Sequence, residues 1–333
     1  MCWVSGMAGR NGAPTMPDES TARVALATCA RVSDLDQDTK TLLFPLARIG
    51  IDVRAAVWSD CRVDWGQYDL TVVRSCRNYH ENRDRFLAWA RVVDHLANPA
   101  GVLAWNTDKH YLTELAGHGI PVVQTTWLEP GRDGDLPTRG RWVVKPAVSL
   151  AGLDTGLYDA ERPEQLTAMC AHIHRLLAAG QTVMLQPYQA QIERDGETSL
   201  IFVEGLLCHA VRRSSILTGP ADGADHRFIP APGQHIDPVR PDAAWVRLAE
   251  RVLEVVPDSN ELLYARVDLV GARNGTVQLM EVELTEPHLF LAHSPPTTVR
   301  LAQAIAARVA TGKATTPPES SMTMAQPRPR AKP

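Results

Sequence analysis

Two apolar runs near the C-terminal end of the chain, "LLYARVDLV" (262–270) and "TVQLMEVEL" (276–284), are separated only by "GARNG". Asn-Gly between such runs is the strongest short-range hairpin signal, because a tight strand-to-strand turn needs residues that accept positive φ. With Asn274 and Gly275 as a two-residue turn, Arg273 pairs with Thr276, Asp268 falls opposite Glu281, and Arg266 falls opposite Glu283. Opposed residues share a face and side chains alternate along a strand. Arg266, Asp268, Glu281 and Glu283 therefore form one polar quartet, while Val267, Leu269, Met280, Val282 and Leu284 point the other way. Glu286 follows close behind. A carboxylate turned into a core is costly unless it is paired, protonated or bound to a metal.

Glu281 and Glu283 are one residue apart, which at about 3.3 Å rise per residue sets them roughly 6 to 7 Å from each other. That separation suits hard cations held jointly with phosphate oxygens, as magnesium commonly is. A solvated polar face carrying an Arg–Glu pair has the same pattern. The spacing alone leaves both readings open.

The rest of the chain alternates strands with helices. "ARVALATCA" (22–30), "DVRAAVW" (52–58) and "YDLTVVRSC" (68–76) read as strands around a helical "TLLFPLARIGI" (41–51), which predicts a small α/β domain with a partly parallel sheet. "ENRDRFLAWARVVDHLA" (81–97) has the apolar spacing of an amphipathic helix. A second helix, capped at Thr107 or Asp108, carries Lys109 and stops at Gly117 or Gly119. "RWVVKPAVSLAGLDTGLY" (141–158) is strand, loop, strand; a helix (163–179) and the strand "TVMLQPY" (182–188) follow. "ETSLIFVEGLLCHAVRRS" (197–214) is a hairpin turning at Glu204 and Gly205, and a helix (242–256) leads to the acidic hairpin. The fold class is α/β (α+β). The expected organisation is an extension (1–22), an N-terminal α/β domain (23–106), a central subdomain (107–185), a C-terminal subdomain bearing the acidic cluster (186–310) and a tail (311–333). Both ends are expected to be disordered, the tail because it is rich in Pro, Ser and Thr, and Met16 is an alternative start.

A formal charge of −4 provides no electrostatic footprint for nucleic acid or an anionic membrane. No apolar run reaches the roughly 18 residues of a membrane span, and the N-terminus lacks the apolar centre of a secretion signal. The six cysteines are scattered without a CxxC pair, which argues against a zinc site or disulfide framework and fits a reducing cytoplasm.

With the upstream lysines, the chain resembles the ATP-grasp ligases, and most closely the branch that includes the O-ureido-serine cyclo-ligase of cycloserine biosynthesis. The likeness spans about residues 23–310 and rests on five ordered blocks: "VVRSCRNYHENRDRFLAW", "WNTDKHYLTELAGHGIPVVQT", "WVVKPAVSLAGLDTG", "MLQPYQAQIERDGETSLIFVEGLLCHAV" and "LYARVDLV" with "LMEVELTEPHLFL". It implies three subdomains, with ATP between the central and C-terminal ones. It also implies a carboxylate–amine ligase that works through an acyl phosphate on a small amino-acid-like substrate, with intramolecular cyclisation one form of the reaction. An ATP-dependent phosphotransferase and a binding module without turnover are the rival readings.

Carried over by position, the resemblance makes Lys109 and Lys145 the phosphate lysines. The loop 147–156, with Ser149, Gly152 and Thr155, covers the triphosphate. Gln186, Pro187 and Tyr188 form the adenine hinge, and Glu197 is a nucleotide-site carboxylate. Asp268, Glu281 and Glu283 become ligands for magnesium, or manganese in its place. Arg266, with Arg212 or Arg213, meets the charge that develops on the transferred phosphoryl group. Arg74, Arg77, Asn78 and Tyr79 lie on the acceptor side. The implied partners are a small-molecule carboxylate and a nitrogen nucleophile, and a homodimer is left open.

Several positions depart from the family. Arg77-Asn78 replaces a common Trp-Asp, placing a cation and an amide where a ring and a carboxylate are usual; a guanidinium there can pair with a substrate carboxylate. His288 replaces a small residue and reads as a hydrogen-bonded structural histidine. Thr198 replaces an aromatic, the phosphate loop is poorer in glycine, and "HRFIPAPG" (226–233) matches only in part.

Overall fold

The structure, a computed structural model, describes residues 21–132, 134–214, 219, 234–272 and 274–312. Most of both expected tails, the 226–233 loop and Arg273 lie outside the described residues. In the N-terminal third, short runs such as Leu70–Ser75 are buried along their whole length, so helices or other sheets must cover both faces. The elements are β1 (Arg23–Thr28), α1 (Gln37–Lys40), α2 (Leu43–Arg48), β2 (Asp52–Val57), β3 (Leu70–Ser75), α3 (Arg83–Val92) and β4 (Leu96–Ala97). Their order across the sheet is β2-β1-β3-β4. Every pairing is parallel, where the sequence suggested only partial parallelism. The amphipathic helix stops at Val92, because Leu96 and Ala97 leave it to add the fourth strand.

Two short helices, α4 (Ala100–Asn106) and α5 (Tyr111–Gly117), lead onward. Lys109 lies in the turn between them rather than on a helix. The next sheet contains β5 (Thr126–Leu128), β6 (Arg141–Pro146), β7 (Gly156–Asp159) and β8 (Val183–Pro187), ordered β5-β8-β6-β7 and backed by α6 (Pro163–Ala178). After α7 (Gln191–Asp195) come β9 (Glu197–Val203), β10 (Leu206–Arg213), β11 (Ile236–Val239), α8 (Ala243–Val255), β12 (Tyr264–Gly271), β13 (Val277–Glu283) and α9 (Pro295–Thr311). Their five strands are ordered β11-β10-β9-β12-β13, all antiparallel. The β9–β10 hairpin turns at Glu204 and Gly205, both with positive φ.

One core lies under the five-stranded sheet, where Phe202, Val267 and Val282 meet Leu115 and Val252. A second joins the parallel sheet to the other face, through Leu26 and Val72 against Val203, Tyr264 and Leu301.

The acidic hairpin differs from the simplest reading in two compensating ways. Ala272 N–H donates to Thr276 O at 2.8 Å and Gly275 N–H to Ala272 O at 3.0 Å, so the loop is three residues (273–275), with Gly275 at φ +79°. A bulge at Met280 then restores the count: Leu269 pairs with Leu279, while Asp268 still faces Glu281 and Arg266 still faces Glu283. In consequence Leu279, not Met280, packs in the core.

β13 is an edge strand whose outward N–H and C=O groups need partners when covered. Asn106 Nδ2 donates to Val282 O at 2.8 Å, and Tyr111 Oη donates to the same oxygen at 3.0 Å. Val282 N–H donates to Tyr111 Oη at 3.2 Å, and Leu284 N–H to Asn106 Oδ1 at 2.8 Å. Asn98 similarly ties Leu263, Tyr264 and Leu284 together. The backbone between Glu281 and Glu283 is thus held by side chains from the two linking helices.

Candidate active site

Three neighbouring strands bring Ser199, Asp268 and Glu281 side by side. Asp268 is almost fully buried and accepts from Ser199 Oγ at 2.6 Å, from Arg213 Nη2 at 3.1 Å, and from Arg266 Nε and Nη2 at 3.0 and 2.8 Å. Arg266 Nη2 also meets Glu283 Oε1 at 2.5 Å, and its Nη1 donates to His288 O at 3.1 Å. Burial opposes charge on Arg266, but Asp268 and Glu283 outweigh it and raise its pKa further. Burial likewise raises Asp268, yet Arg266 and Arg213 hold it below the usual carboxylate range. Glu283 moves upward, burial prevailing over Arg266.

Glu197 pairs with Arg213 at 3.1 Å, and burial pushes its pKa up to about 7 against that attraction. Gly196, just before it, has φ +70°, and a Cβ there would lie 2.6 Å from Arg213 O. Only glycine lets β9 begin this close to Arg213. Of the two candidate arginines, Arg213 joins the cluster; Arg212 alternates to the opposite face and is exposed.

Both lysines are buried. Lys109 Nζ lies 3.2 Å from Glu281 Oε1 and donates to Ser149 O at 2.9 Å. Lys145 is the penultimate residue of β6, beside the loop; burial lowers its pKa, Glu281 opposes this, and Lys109 reinforces it. Glu281 is raised by burial but drawn lower by the two lysines. Ser149 Oγ donates to Pro146 O at 3.3 Å, so its hydroxyl hydrogen is already engaged within the loop. Gly152 has φ +73° and open space around it, and Thr155 N–H closes a turn on Gly152 O at 3.0 Å. Ala151 and Asp154 also take positive φ, so the glycine-poor loop reaches left-handed conformations without glycine.

At the expected hinge, Gln186 is buried and donates to Thr125 Oγ1 at 2.9 Å, Pro187 closes β8, and Tyr188 lies under the Arg141 guanidinium at 4.2 Å. On the N-terminal side, Tyr79 Oη donates to Ser149 O at 3.3 Å, the carbonyl that Lys109 also uses. Arg77 pairs with Asp36 Oδ2 at 2.5 Å; burial disfavours the Asp36 charge, but Arg77 and Arg74 bring its pKa down to about 2. Arg74 reaches Asp38 at 3.3 Å and stacks on Tyr264, while Asn78 Oδ1 accepts from Trp58 Nε1 at 2.8 Å. Asn78 is therefore committed to its own domain. His288 Nδ1 accepts from Phe290 N–H at 3.1 Å, and burial drops its pKa to about 4: it is a neutral structural residue.

Asp36, Asp38, Asn98, Asn106 and Tyr111 were not foreseen. Asp38 accepts from Leu289 and Leu291 N–H, both at 2.7 Å, tying α1 to the segment after β13. In sequence these look like ordinary helix-flanking polar residues. The one available signal was their position next to strongly apolar runs.

Hard-oxygen donors suit magnesium, and Glu281 and Glu283 each use only Oε1 in the contacts above. Both Asp268 oxygens are already engaged. Among the described residues no group of three or more His, Cys, Asp or Glu side chains is arranged to hold a metal ion. The expected trio Asp268, Glu281 and Glu283 is thus not brought together as a three-carboxylate site: Asp268 is held by Ser199, Arg213 and Arg266, and Glu281 and Glu283 each keep Oε2 outside the contacts above.

The family profile for the N-terminal domain of the D-cycloserine synthetase DcsG matches residues 24–98. The cycloserine biosynthesis protein DcsG of Streptomyces lavendulae is 34% identical over 302 residues, covering 86% of this chain and 98% of that protein. The crystal structure of D-cycloserine synthetase DcsG superposes with a TM-score of 0.75 at 31% identity, covering 86% of this chain and 100% of the other. The D-alanine–D-alanine ligase of Bacillus anthracis complexed with ATP superposes at 0.59 with 12% identity, covering 87% and 97%; this second likeness concerns the fold.

Proposed function

The chain belongs to the D-cycloserine synthetase family of ATP-grasp ligases, and from that premise we propose that it joins a small amino-acid-like carboxylate to a nitrogen nucleophile, using MgATP, in natural-product biosynthesis. A carboxylate is a poor electrophile. Attack of its oxygen on the γ-phosphorus of ATP yields an acyl phosphate and ADP; the nitrogen then displaces inorganic phosphate and loses a proton. Such transfers depend mainly on positioning and charge stabilisation.

The observation that carries this reading is the contact of Lys109 with Glu281 and with the Ser149 carbonyl. It sets an ammonium group between an acidic strand and a loop of backbone amides, as a polyphosphate needs. Lys109 and Lys145 bind phosphate oxygens, and the amides of 147–156 cover them. Gln186, Pro187 and Tyr188 frame the base, with Glu197 close to the nucleotide. Glu281 and Glu283 would hold a magnesium ion, which when bound would neutralise phosphate charge and orient the transferred group. Arg266 fixes Asp268 and Glu283, and Arg213 faces the developing phosphoryl charge. Arg74, Arg77 and Tyr79 line the acceptor side.

The test is incubation with ATP, magnesium and an amino-acid panel. Equimolar ADP and phosphate with a dehydrated product supports ligation; a stable phosphorylated product, or no turnover with any substrate, refutes it.

A further inference from the structure

Around the loop 76–79, five buried polar atoms have no hydrogen-bond partner: Nε and Nη1 of Arg74, Nε and Nη1 of Arg77, and Oε2 of Glu286. Arg74 has a partial explanation, since its guanidinium lies 5.1 Å from the centre of the Tyr264 ring. Arg77 and Glu286 have none. Arg77 is 7% exposed, and Asp36 anchors only its Nη2, at 2.5 Å. Burial opposes charge on Arg77 while Glu286 and Asp36 favour it, and burial raises the Glu286 pKa against the pull of Arg77. Nevertheless, no ion pair within 4.0 Å joins them among the described residues.

Buried polar groups are nearly always satisfied, and one left over asks for a ligand or an ordered water. Here a guanidinium, held by Asp36 through Nη2 alone, and a carboxyl oxygen of Glu286 are both left without a partner. A group that fills the gap must offer hydrogens to the carboxylate and an oxygen to the guanidinium. An α-amino-acid head group offers both. Glu286 follows Glu283 by three residues, and the Arg77 loop reaches the phosphate loop through Tyr79 and Ser149. The gap therefore adjoins the place where the acyl phosphate would form.

Building on the ligase reading, we propose that Arg77 and Glu286 form the head-group subsite for an α-amino-acid substrate, Glu286 Oε2 accepting from its amine and Arg77 donating to its carboxyl oxygen. A positive group beside Glu286 offsets the burial that otherwise pushes its pKa up to about 8, against the pull of Arg77. Glu286 is then a specificity-determining residue outside the metal pair.

Calorimetry on the full-length protein tests this, using serine and alanine as racemates, their N-acetyl derivatives, and a non-hydrolysable ATP analogue with magnesium. The wild type should bind the free amino acids about tenfold or more tightly than the N-acetyl forms, the scale of one charge-assisted hydrogen bond. Glu286→Gln, close to isosteric, should bring that ratio to within about twofold while ATP-analogue affinity stays unchanged, which also reports a folded protein. A wild type without preference for the free amine, or a Glu286→Gln protein that keeps it, overturns the subsite. Failure of the ligase reading appears separately, as no binding of the ATP analogue to the wild type.

Discussion

Replacing Tyr111 by Phe removes one oxygen from beneath the strand that carries both glutamates. The Phe ring can keep its stack on Trp105, whose centroid lies 4.8 Å away. Val282 O keeps the Asn106 amide at 2.8 Å, but Val282 N–H loses its acceptor at 3.2 Å and stays buried. Leaving one buried backbone donor unsatisfied costs about 1–3 kcal/mol. At the roughly 2–4 °C per kcal/mol of domains of about 150–250 residues, the fall in Tm is at most about 2–12 °C. Urea unfolding should show a lower midpoint with an unchanged m-value. Because Val282 separates Glu281 from Glu283, kcat for ADP release should fall as well, with a smaller change in KM for ATP. A stability change below about 0.5 kcal/mol, the range of an unremarkable surface substitution, would refute the claim that Tyr111 fixes this edge.

Other outcomes follow from the same contacts. Glu281→Gln with Glu283→Gln should abolish magnesium-dependent ADP release while leaving the circular dichroism spectrum unchanged; wild-type rates in that protein would remove the metal assignment. Arg213→Ala should lower kcat by at least about tenfold through loss of a charge-stabilising donor, whereas the exposed Arg212→Ala should stay within about twofold; equal effects would contradict the facing of the two arginines. Glu286 has a folded pKa of about 8, above its unfolded value of 4.5. The folded state therefore holds more protons between those values, and its stability declines as pH rises through that window. The difference between wild type and Glu286→Gln in urea midpoints from pH 5 to 8 should show that decline in the wild type only; parallel curves would contradict it.

The pairing across the acidic hairpin could be read from sequence because strand alternation and the Asn-Gly signal fix which carboxylates share a face. The pairs Asp268–Glu281 and Arg266–Glu283 emerged correctly even though the loop is one residue longer than assumed, because the bulge at Met280 absorbs the difference. Alternation alone carries no signal for a bulge, so Met280 was placed where Leu279 packs. Lys109 was expected on a helix: the run 107–117 has helical spacing, yet the first turn opens so that the Lys109 N–H meets Ala147 O at 3.1 Å, a tertiary contact. The long-range polar ties of Asp36, Asp38, Asn106 and Tyr111 were equally hidden. Their partners lie far away in the chain, 253 residues away for Asp38 and Leu291, and such contacts leave no local pattern.

The central claim is that a substrate carboxylate is activated by phosphorylation on this acidic, lysine-flanked strand pair. Turnover of carboxyl-18O-labelled amino acids with ATP and magnesium, followed by mass spectrometry of the released phosphate, tests it most directly. Transfer of one 18O atom into inorganic phosphate, with loss of that oxygen from the product, is the predicted result. Phosphate released without label while product accumulates would contradict an acyl phosphate, and with it the proposed role of this site.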